Sequence, residues 1–446
     1  MMTARTAAIQ ILTASRAHQA FIGELLDQQL QAHPLSAPDR RLLTNLVYGI
    51  LRRQGSLDAL LRPFMRRSLL EVDPDVLDLL RLGAFQIAFL THIPPHAAVF
   101  ETVEVANQIK PQAKGFVNGV LRRIVELMTD DFVTKPGPHA LPFDTGRYRR
   151  MTQGILPDPQ YKPAGYIEAG MSWPTWMANL WMERFGFERC LQLGFWFNSP
   201  GAMWLRANPL QNDRETLQRR LTEAGIGTEP GRHPQSLRLL ESHGIRDLPG
   251  YDDGAFAIQD PSAMRVAMAL NPSPGMRVLD LCAAPGGKTT HLAELMQNTG
   301  HIDAYDIESD RLATIQSLAD RLRITIIEPK LRDGGFVQGE YDAALVDVPC
   351  SNTGVLGRRP EVRWRLKLDE IPYLTRLQSD LLHEAANVVK PGGKLVYSTC
   401  SIEPDENGLL VRSVIASRNN LVLDTEEESF PGEGGDGGYW ARLTKR

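Results

Sequence analysis

Residues 277–289 read Arg277-Val-Leu-Asp-Leu-Cys-Ala-Ala-Pro-Gly-Gly-Lys-Thr289. Val278-Leu279-Asp280 predicts a buried strand, and a helix is expected to begin near Thr289. A glycine-rich turn between a strand and a helix directs backbone N–H groups and the helix amino terminus at whatever lies over the strand end. The stretch therefore predicts a βα unit with a ligand at the carboxyl edge of its sheet.

Short apolar runs rich in β-branched residues recur after this unit and alternate with helical segments. This pattern is typical of a parallel sheet in an α/β domain. The strands are predicted at residues 277–282, 301–307, 324–328, 343–348 and 394–399.

The loop at residues 282–288 is compatible with more than one bound nucleotide. The dinucleotide fingerprint G-x-G-x-x-G is absent. Gly287-Lys288-Thr289 matches the end of the phosphate loop, but Cys282 replaces its first glycine, which weakens an ATPase interpretation without removing it. S-adenosylmethionine carries a sulfonium and an uncharged ribose, so it needs close backbone approach and acidic partners.

Aspartates follow successive predicted strands at the places that such a ligand needs. Asp306 ends the second strand about 20 residues after Gly286, where a carboxylate takes ribose hydroxyls in such folds. Asp333 follows the third strand, on the adenine side, and Asp347 ends the fourth, beside the methyl-transfer position. Each one alone could be a turn or cap residue, but together they favour S-adenosylmethionine as the cofactor.

Two cysteines also lie just past strand ends, in Asp347-Val-Pro-Cys350 and Tyr397-Ser-Thr-Cys400. Methyl transfer needs a thiol only when the acceptor is poor, as carbon 5 of a pyrimidine is. Attack of a thiolate on carbon 6 makes carbon 5 nucleophilic and splits one hard step into easier ones. The residues alone leave open whether Cys350 or Cys400 attacks.

The attacking thiol must be ionised, which requires a positive neighbour or a helix amino terminus. Lys288, Arg358 and Arg359 are the candidate basic neighbours. Cys190 has no supporting motif, and Cys282 is best interpreted from its position as a small buried apolar side chain.

Composition narrows the class of protein. The 446 residues are 43% hydrophobic and 23% charged, with four cysteines that show neither disulfide nor metal-ligand spacing. We find no apolar run of about 18 residues and no secretory signal. We therefore expect a cytoplasmic monomer without a membrane span or bound metal. A net charge of −4 does not by itself indicate a nucleic-acid binder.

The length predicts more than one domain. Residues 1–128 carry apolar helical stretches without strand-like alternation and predict an all-α bundle. Residues 129–171 are rich in Pro, Gly, Tyr and Asp without a period, which predicts an irregular linker. Residues 172–250 predict a small α+β segment, and residues 251–446 the α/β domain.

Three motifs resemble the RNA (cytosine-5) methyltransferase family. Its CAAPGGKT loop, D-x-PCS-x-TG segment and TCS-x-x-x-x-EN segment stand here at residues 282–289, 347–354 and 399–407. The resemblance implies a Rossmann-like, S-adenosylmethionine-dependent domain. It also implies that Cys400 is the nucleophile and that Cys350 helps to release the methylated product.

The family resemblance further implies which residues hold the cofactor, and Asp347 would also orient the base. The cofactor contacts carried over are Cys282, Ala283, Ala284, Pro285, Gly286, Gly287, Lys288, Asp306, Asp333 and Asp347. Val348 and Gly438-Tyr439-Trp440 depart from the usual family residues, and the 129–171 segment matches no pattern.

The helical region resembles the NusB-type RNA-binding fold, at residues 48–52, 82–86, 93–99 and 114–122. A NusB-like domain joined to this catalytic domain is characteristic of the ribosomal RNA small subunit methyltransferase B branch. The implied substrate is a cytidine of 16S ribosomal RNA, with the 172–250 segment also binding RNA. Transfer-RNA methylation and a non-catalytic, antitermination-type RNA binder are the alternatives.

One stretch, Gly357-Arg-Arg-Pro-Glu-Val-Arg-Trp-Arg365, interleaves cations with an aromatic residue. Arginine contacts to phosphate and base stacking on Trp364 would suit single-stranded RNA. In the alternative interpretation Trp364 packs in the core and the arginines are solvated.

Overall fold

The computed structural model describes residues 2–17, 20–241 and 243–446. Among these residues, no helix is both long enough and apolar enough to cross a membrane. The helices are α1 (Ala4–Ala17), α2 (Ile22–Ala32), α3 (Ala37–Leu61), α4 (Pro74–Phe89), α5 (Pro95–Ile109), α6 (Lys114–Leu127), α7 (Pro163–Met171), α8 (Thr175–Asn198), α9 (Arg214–Glu223), α10 (Pro261–Leu270), α11 (Gly287–Leu295), α12 (Ser309–Leu322), α13 (Val362–Arg365), α14 (Ile371–Val388) and α15 (Gly408–Ser417). The strands are β1 (Met128–Val133), β2 (Ala140–Asp144), β3 (Arg147–Met151), β4 (Trp204–Ala207), β5 (Thr228–Pro230), β6 (Ser236–Leu239), β7 (Phe256–Ile258), β8 (Arg277–Asp280), β9 (His301–Asp306), β10 (Ile327–Leu331), β11 (Tyr341–Asp347), β12 (Val389–Thr399), β13 (Leu421–Ser429) and β14 (Gly438–Lys445).

The chain folds into two compact units. Unit 1 comprises Met1–Gly201 and Leu356–Arg365, and unit 2 comprises Ala202–Val355 and Leu366–Arg446. A ten-residue stretch late in the sequence therefore belongs to the amino-terminal unit.

Unit 1 begins with the predicted helical bundle, α1 to α6. Asp73 caps α4, because its Oδ1 accepts hydrogen bonds from the backbone N–H groups of Asp75 and Val76. Helices α3 and α4 approach closely at Gly49, where a Cβ would overlap the ring of Phe85. The all-α prediction for this region is confirmed.

The prediction that residues 129–171 form an irregular linker is wrong, because this segment has regular secondary structure. Strands β1, β3 and β2 form an antiparallel sheet, and α7 follows them. Arg149 on β3 is buried and donates to the carbonyls of Thr129 and Ala88, at 2.7 and 3.0 Å. The strands are short and bury a charged residue, so they lack the alternation that identifies a strand in a sequence.

Unit 2 begins with a small antiparallel sheet of order β5-β6-β4-β7, packed against α9. Leu217 and Leu221 of α9 share a buried cluster with Leu205 of β4 and Leu237 of β6. The α+β segment predicted over residues 172–250 has different bounds in the structure, because α8 belongs to unit 1 and β7 lies beyond residue 250.

The second sheet of unit 2 has the order β10-β9-β8-β11-β12-β14-β13. Strands β8 to β12 are parallel, as predicted, whereas β13 and β14 add an antiparallel edge. Helices α10, α11 and α12 cover one face, and α14 and α15 cover the other. The strand order reverses between β8 and β11, which is where sheets of this class bind ligands.

Candidate active site

The loop between β8 and α11 is held in place by its own backbone and by a buried acid. The N–H of Ala283 donates to the carbonyl of Tyr305 on β9 at 2.9 Å, and Thr289 Oγ1 donates to Asp280 Oδ2 at 2.7 Å. Burial raises the pKa of Asp280 to about 7. Gly286 has φ 97°, and a Cβ there would lie 3.2 Å from a backbone atom of α12, so glycine is required.

Asp306 contacts this loop, whereas Asp333 lines a cavity at the end of the neighbouring strand. Asp306 Oδ2 accepts the N–H of Ala284 at 3.1 Å, and its Oδ1 accepts the N–H of Ile307 at 2.9 Å. Asp333 is exposed and lines a cavity of about 400 Å³ together with Tyr305. The structure thus brings one predicted cofactor acid to the loop and places the other beside the neighbouring strand end.

Asp347 joins the loop to the end of β12. Its Oδ2 accepts a hydrogen bond from Lys288 Nζ at 2.6 Å, and its Oδ1 accepts one from Ser398 Oγ at 2.6 Å. Burial opposes the charge on Lys288, but the charge of Asp347 and its hydrogen bond outweigh burial and raise the pKa of Lys288. Lys288 is therefore a persistent cation at this edge of the sheet.

The two predicted thiols lie side by side. Cys350 Sγ is 3.1 Å from Cys400 Sγ, and Cys400 Sγ donates to Asn352 Oδ1 at 3.2 Å. The hydrogen bond with Cys400, together with burial, raises the pKa of Cys350 well above its usual range. Cys350 is buried and Cys400 is partly exposed, so the pair is asymmetric. Cys350 remains a protonated thiol at neutral pH.

The other two cysteines are also held as thiols. Burial raises the pKa of Cys190 to about 12 and the pKa of Cys282 well above its usual range. Neither has the thiol neighbour that Cys350 and Cys400 give each other. Their geometry fits the interpretation of both as packing residues.

Glu406, which sequence reasoning did not assign, ties together the loops that follow β11 and β12. Its carboxylate is fully buried and accepts the N–H of Ser351 at 2.8 Å and Gln378 Nε2 at 2.8 Å. The hydroxyl groups of Ser351 and Ser401 donate to its other oxygen. The Glu-Asn pair that ends the third motif was the available signal, but the motif alone gave it no role.

The backbones of Gly354 and Gly437 pack against the loop that follows β12 and carries Cys400. The N–H of Gly354 donates to the carbonyl of Cys400, and the N–H of Gly437 donates to the carbonyl of Gly354, each at 2.9 Å. A Cβ on Gly354 would lie 2.5 Å from the Gly437 carbonyl oxygen and 2.8 Å from that of Cys400. The backbone at Cys400 is therefore fixed by a contact that only glycine permits.

The RNA-contact hypothesis for residues 357–365 is wrong for Arg363. Arg363 is fully buried and donates to the carbonyls of Phe197 and Leu356, at 3.1 and 3.2 Å. Trp364 Nε1 donates to the carbonyl of Leu51 at 2.9 Å. Arg363 is therefore structural, whereas Trp364 is only partly buried and base stacking on it stays a prediction.

The arginines predicted to neighbour the thiols also lie in this segment. Arg358 and Arg359 belong to unit 1, where the guanidinium of Arg359 stacks 4.3 Å above the ring centroid of Phe21. Lys288 is the predicted basic residue that shares unit 2 with both thiols. Its charge and that of Cys400 interact directly.

Family models of known proteins match three successive regions of this chain. The family descriptions "NusB family", "Methyltr_RsmF/B-like, ferredoxin-like domain" and "16S rRNA methyltransferase RsmB/F" match residues 2–126, 173–246 and 267–436. A "Probable ribosomal RNA small subunit methyltransferase B" of Synechocystis sp. is 37% identical over 442 residues, which is 97% of this chain and 93% of the relative. This chain belongs to the 16S rRNA methyltransferase RsmB/F family.

A second curated relative and a solved structure also match over nearly the full length of both chains. A protein of the same description from Bacillus subtilis is 34% identical over 430 residues, covering 95% of this chain and 90% of the relative. The crystal structure of PH0851 superposes with a TM-score of 0.80 at 25% identity, covering 100% and 99% of the two chains. The predicted family, the NusB-like helical domain and the Rossmann-like methyltransferase domain are confirmed.

Proposed function

We propose that this RsmB/F chain methylates carbon 5 of a cytidine in 16S ribosomal RNA, with S-adenosylmethionine as methyl donor and Cys400 as covalent nucleophile. The observation that carries the proposal is the pair of thiols 3.1 Å apart, next to the Asp347–Lys288 pair. A single thiol is enough to attack a base. A second thiol in contact with the first can assist the release of a covalently bound product.

The loop fits S-adenosylmethionine better than a nucleoside triphosphate. A phosphate-loop lysine must reach the β- and γ-phosphates, whereas the Lys288 ammonium is already paired with Asp347 at 2.6 Å. The acids that would hold the cofactor are Asp306 and Asp333, with the backbone of residues 282–288. When bound, S-adenosylmethionine supplies an electrophilic methyl group.

The chain's own residues account for the remaining steps. The Cys400 thiolate, stabilised by Lys288, forms a bond to carbon 6. The carbon 5–carbon 6 π pair shifts onto carbon 5, in conjugation with ring nitrogen 3, while the Asp347 carboxylate accepts a hydrogen bond from the base. After carbon 5 is methylated, a water molecule accepts its proton. That electron pair restores the double bond as the carbon 6–sulfur bond breaks and returns its electrons to Cys400. The Cys350 S–H group donates to the departing sulfur.

The proposal is tested with purified protein, methyl-labelled S-adenosylmethionine and, in separate reactions, protein-free 16S ribosomal RNA and bulk transfer RNA. We expect label in 16S ribosomal RNA at a cytidine that bisulfite sequencing identifies, and none after Cys400→Ser. Cys190→Ser is the matched control and should retain turnover. Label in transfer RNA alone would contradict 16S ribosomal RNA as the substrate. Unchanged turnover in the Cys400 variant would contradict Cys400 as the nucleophile.

A further inference from the structure

Arg206 on β4 is a fully buried charged residue whose guanidinium contacts groups on a different part of unit 2. Its Nε and Nη2 donate to the two carboxylate oxygens of Glu294, at 3.0 and 2.6 Å. Its Nη2 also donates to Thr290 Oγ1 at 3.1 Å. Its Nη1 donates to the carbonyl of Gly287 at 2.8 Å and to the side-chain oxygen of Gln259.

The partners of Arg206 on α11 span the helix from its first residue to its last turn. Gly287 begins α11 and is the last glycine of the proposed cofactor loop, and Lys288, which pairs with Asp347, comes next. Thr290 Oγ1, held by Arg206, itself donates to the carbonyl of Gly286 at 2.9 Å. Arg206 therefore fixes, directly or through Thr290, the carbonyls of both loop glycines.

Stability alone is a weak reason to keep this buried pair. A buried ion pair can often be replaced by apolar residues without loss of stability, because desolvation offsets the attraction. The Arg206–Glu294 pair is nevertheless part of a larger hydrogen-bond network. Gln235 donates to Glu294 at 3.3 Å and hydrogen-bonds His291 at 2.8 Å. The planar fork of arginine reaches a carboxylate and a carbonyl at once, which lysine cannot do.

We propose that Arg206 is a positioning residue for the cofactor loop. By holding the Gly287 carbonyl it sets the backbone that presents Gly286 and Lys288. It acts through the loop and contacts neither cofactor nor RNA. This inference rests on the proposed binding of S-adenosylmethionine by residues 282–288.

A double variant can distinguish an effect of Arg206 on the position of the cofactor loop from an effect on folding. In the double variant Arg206→Met/Glu294→Met both buried charges disappear together, so no charge is left unpaired. We expect near-native thermal stability and an unchanged KM for RNA. The Kd and KM for S-adenosylmethionine should rise about tenfold or more, because charge-assisted hydrogen bonds to the loop are lost. Arg220→Met, which breaks an exposed pair with Asp253, is the matched control.

Each outcome decides a different question. A folded double variant that binds S-adenosylmethionine as tightly as wild type overturns the role of Arg206. Wild-type protein that does not bind S-adenosylmethionine in calorimetry overturns the proposed function instead. If the double variant does not fold, Arg206→Lys keeps the charge beside Glu294 but loses the fork. It should show the same rise in Kd, and an unchanged Kd overturns the inference.

Discussion

Lys288 Nζ lies 2.6 Å from Asp347 Oδ2, so the first residue after the loop glycines pairs with the last residue of β11. The two side chains are 18% and 29% exposed. The ion pair therefore lies in a partly desolvated place, where removing one partner leaves the other uncompensated. The ion pair links the cofactor loop to the strand that leads to Cys350.

Lys288→Met should lower turnover about tenfold or more and shift the acidic, ascending limb of the activity profile to higher pH. Without the ammonium group the Cys400 thiolate is less stable, so a higher pH is needed to form it. The measurement is the pH profile of kcat together with the rate of iodoacetamide labelling. Lys390→Met is the control, because Lys390 forms an equally short pair with Asp342 at the start of β11. An unshifted profile would remove Lys288 from the ionisation of the nucleophile.

Cys350→Ala should trap the enzyme on its substrate. The variant keeps Cys400 but lacks the S–H group 3.1 Å from the departing sulfur, so release slows while attack continues. Denaturing gels of protein incubated with labelled RNA should show a complex that accumulates with time. The double variant Cys350→Ala/Cys400→Ser should form none. A complex that survives in the double variant would mean that another residue attacks.

Gly354→Ala should abolish most activity, because the new methyl group would meet the carbonyl oxygens of Gly437 and Cys400. These are backbone atoms, so the overlap can be removed only if the loop that carries Cys400 moves. Gly119→Ala in α6 is the matched control, since no atom lies within 4 Å of its Cβ position. The control should stabilise the protein by about 0.5–1 kcal/mol because alanine favours helix. Thermal melts and single-turnover rates measure the two effects.

His233 should make unit 2 sensitive to acid. Burial, with help from Arg206, lowers the pKa of His233 to about 4 in the folded state, against about 6.5 when it is unfolded. Between these values the unfolded chain binds more protons, so stability is lost as pH falls from about 6.5 towards 4. From pH 7 to pH 5 this loss is about 2 kcal/mol. His233→Asn should lose correspondingly less in urea unfolding at the two pH values, and an equal loss would exclude His233.

The sequence predicted the groups at strand ends because their placement follows from local pattern. Asp306, Asp347, Cys350 and Cys400 each lie within a few residues of an apolar run, and parallel strands bring their carboxyl ends to one edge. Arg206 could not be placed in this way, since its partner Glu294 lies 88 residues away. The predicted exposure of Arg363 was wrong for the same reason. Its acceptors are carbonyls, which no side-chain pattern reveals.

The membership of residues 356–365 in unit 1 has a consequence for recombination between related genes. The chain passes from one unit to the other after residues 201, 355 and 365. A chimera joined at residue 201 would therefore combine a foreign helical portion with a native Arg363, whose hydrogen bonds match the carbonyls of the original parent. We therefore expect a crossover that separates the two stretches to destabilise unit 1 more than one in which both are inherited together.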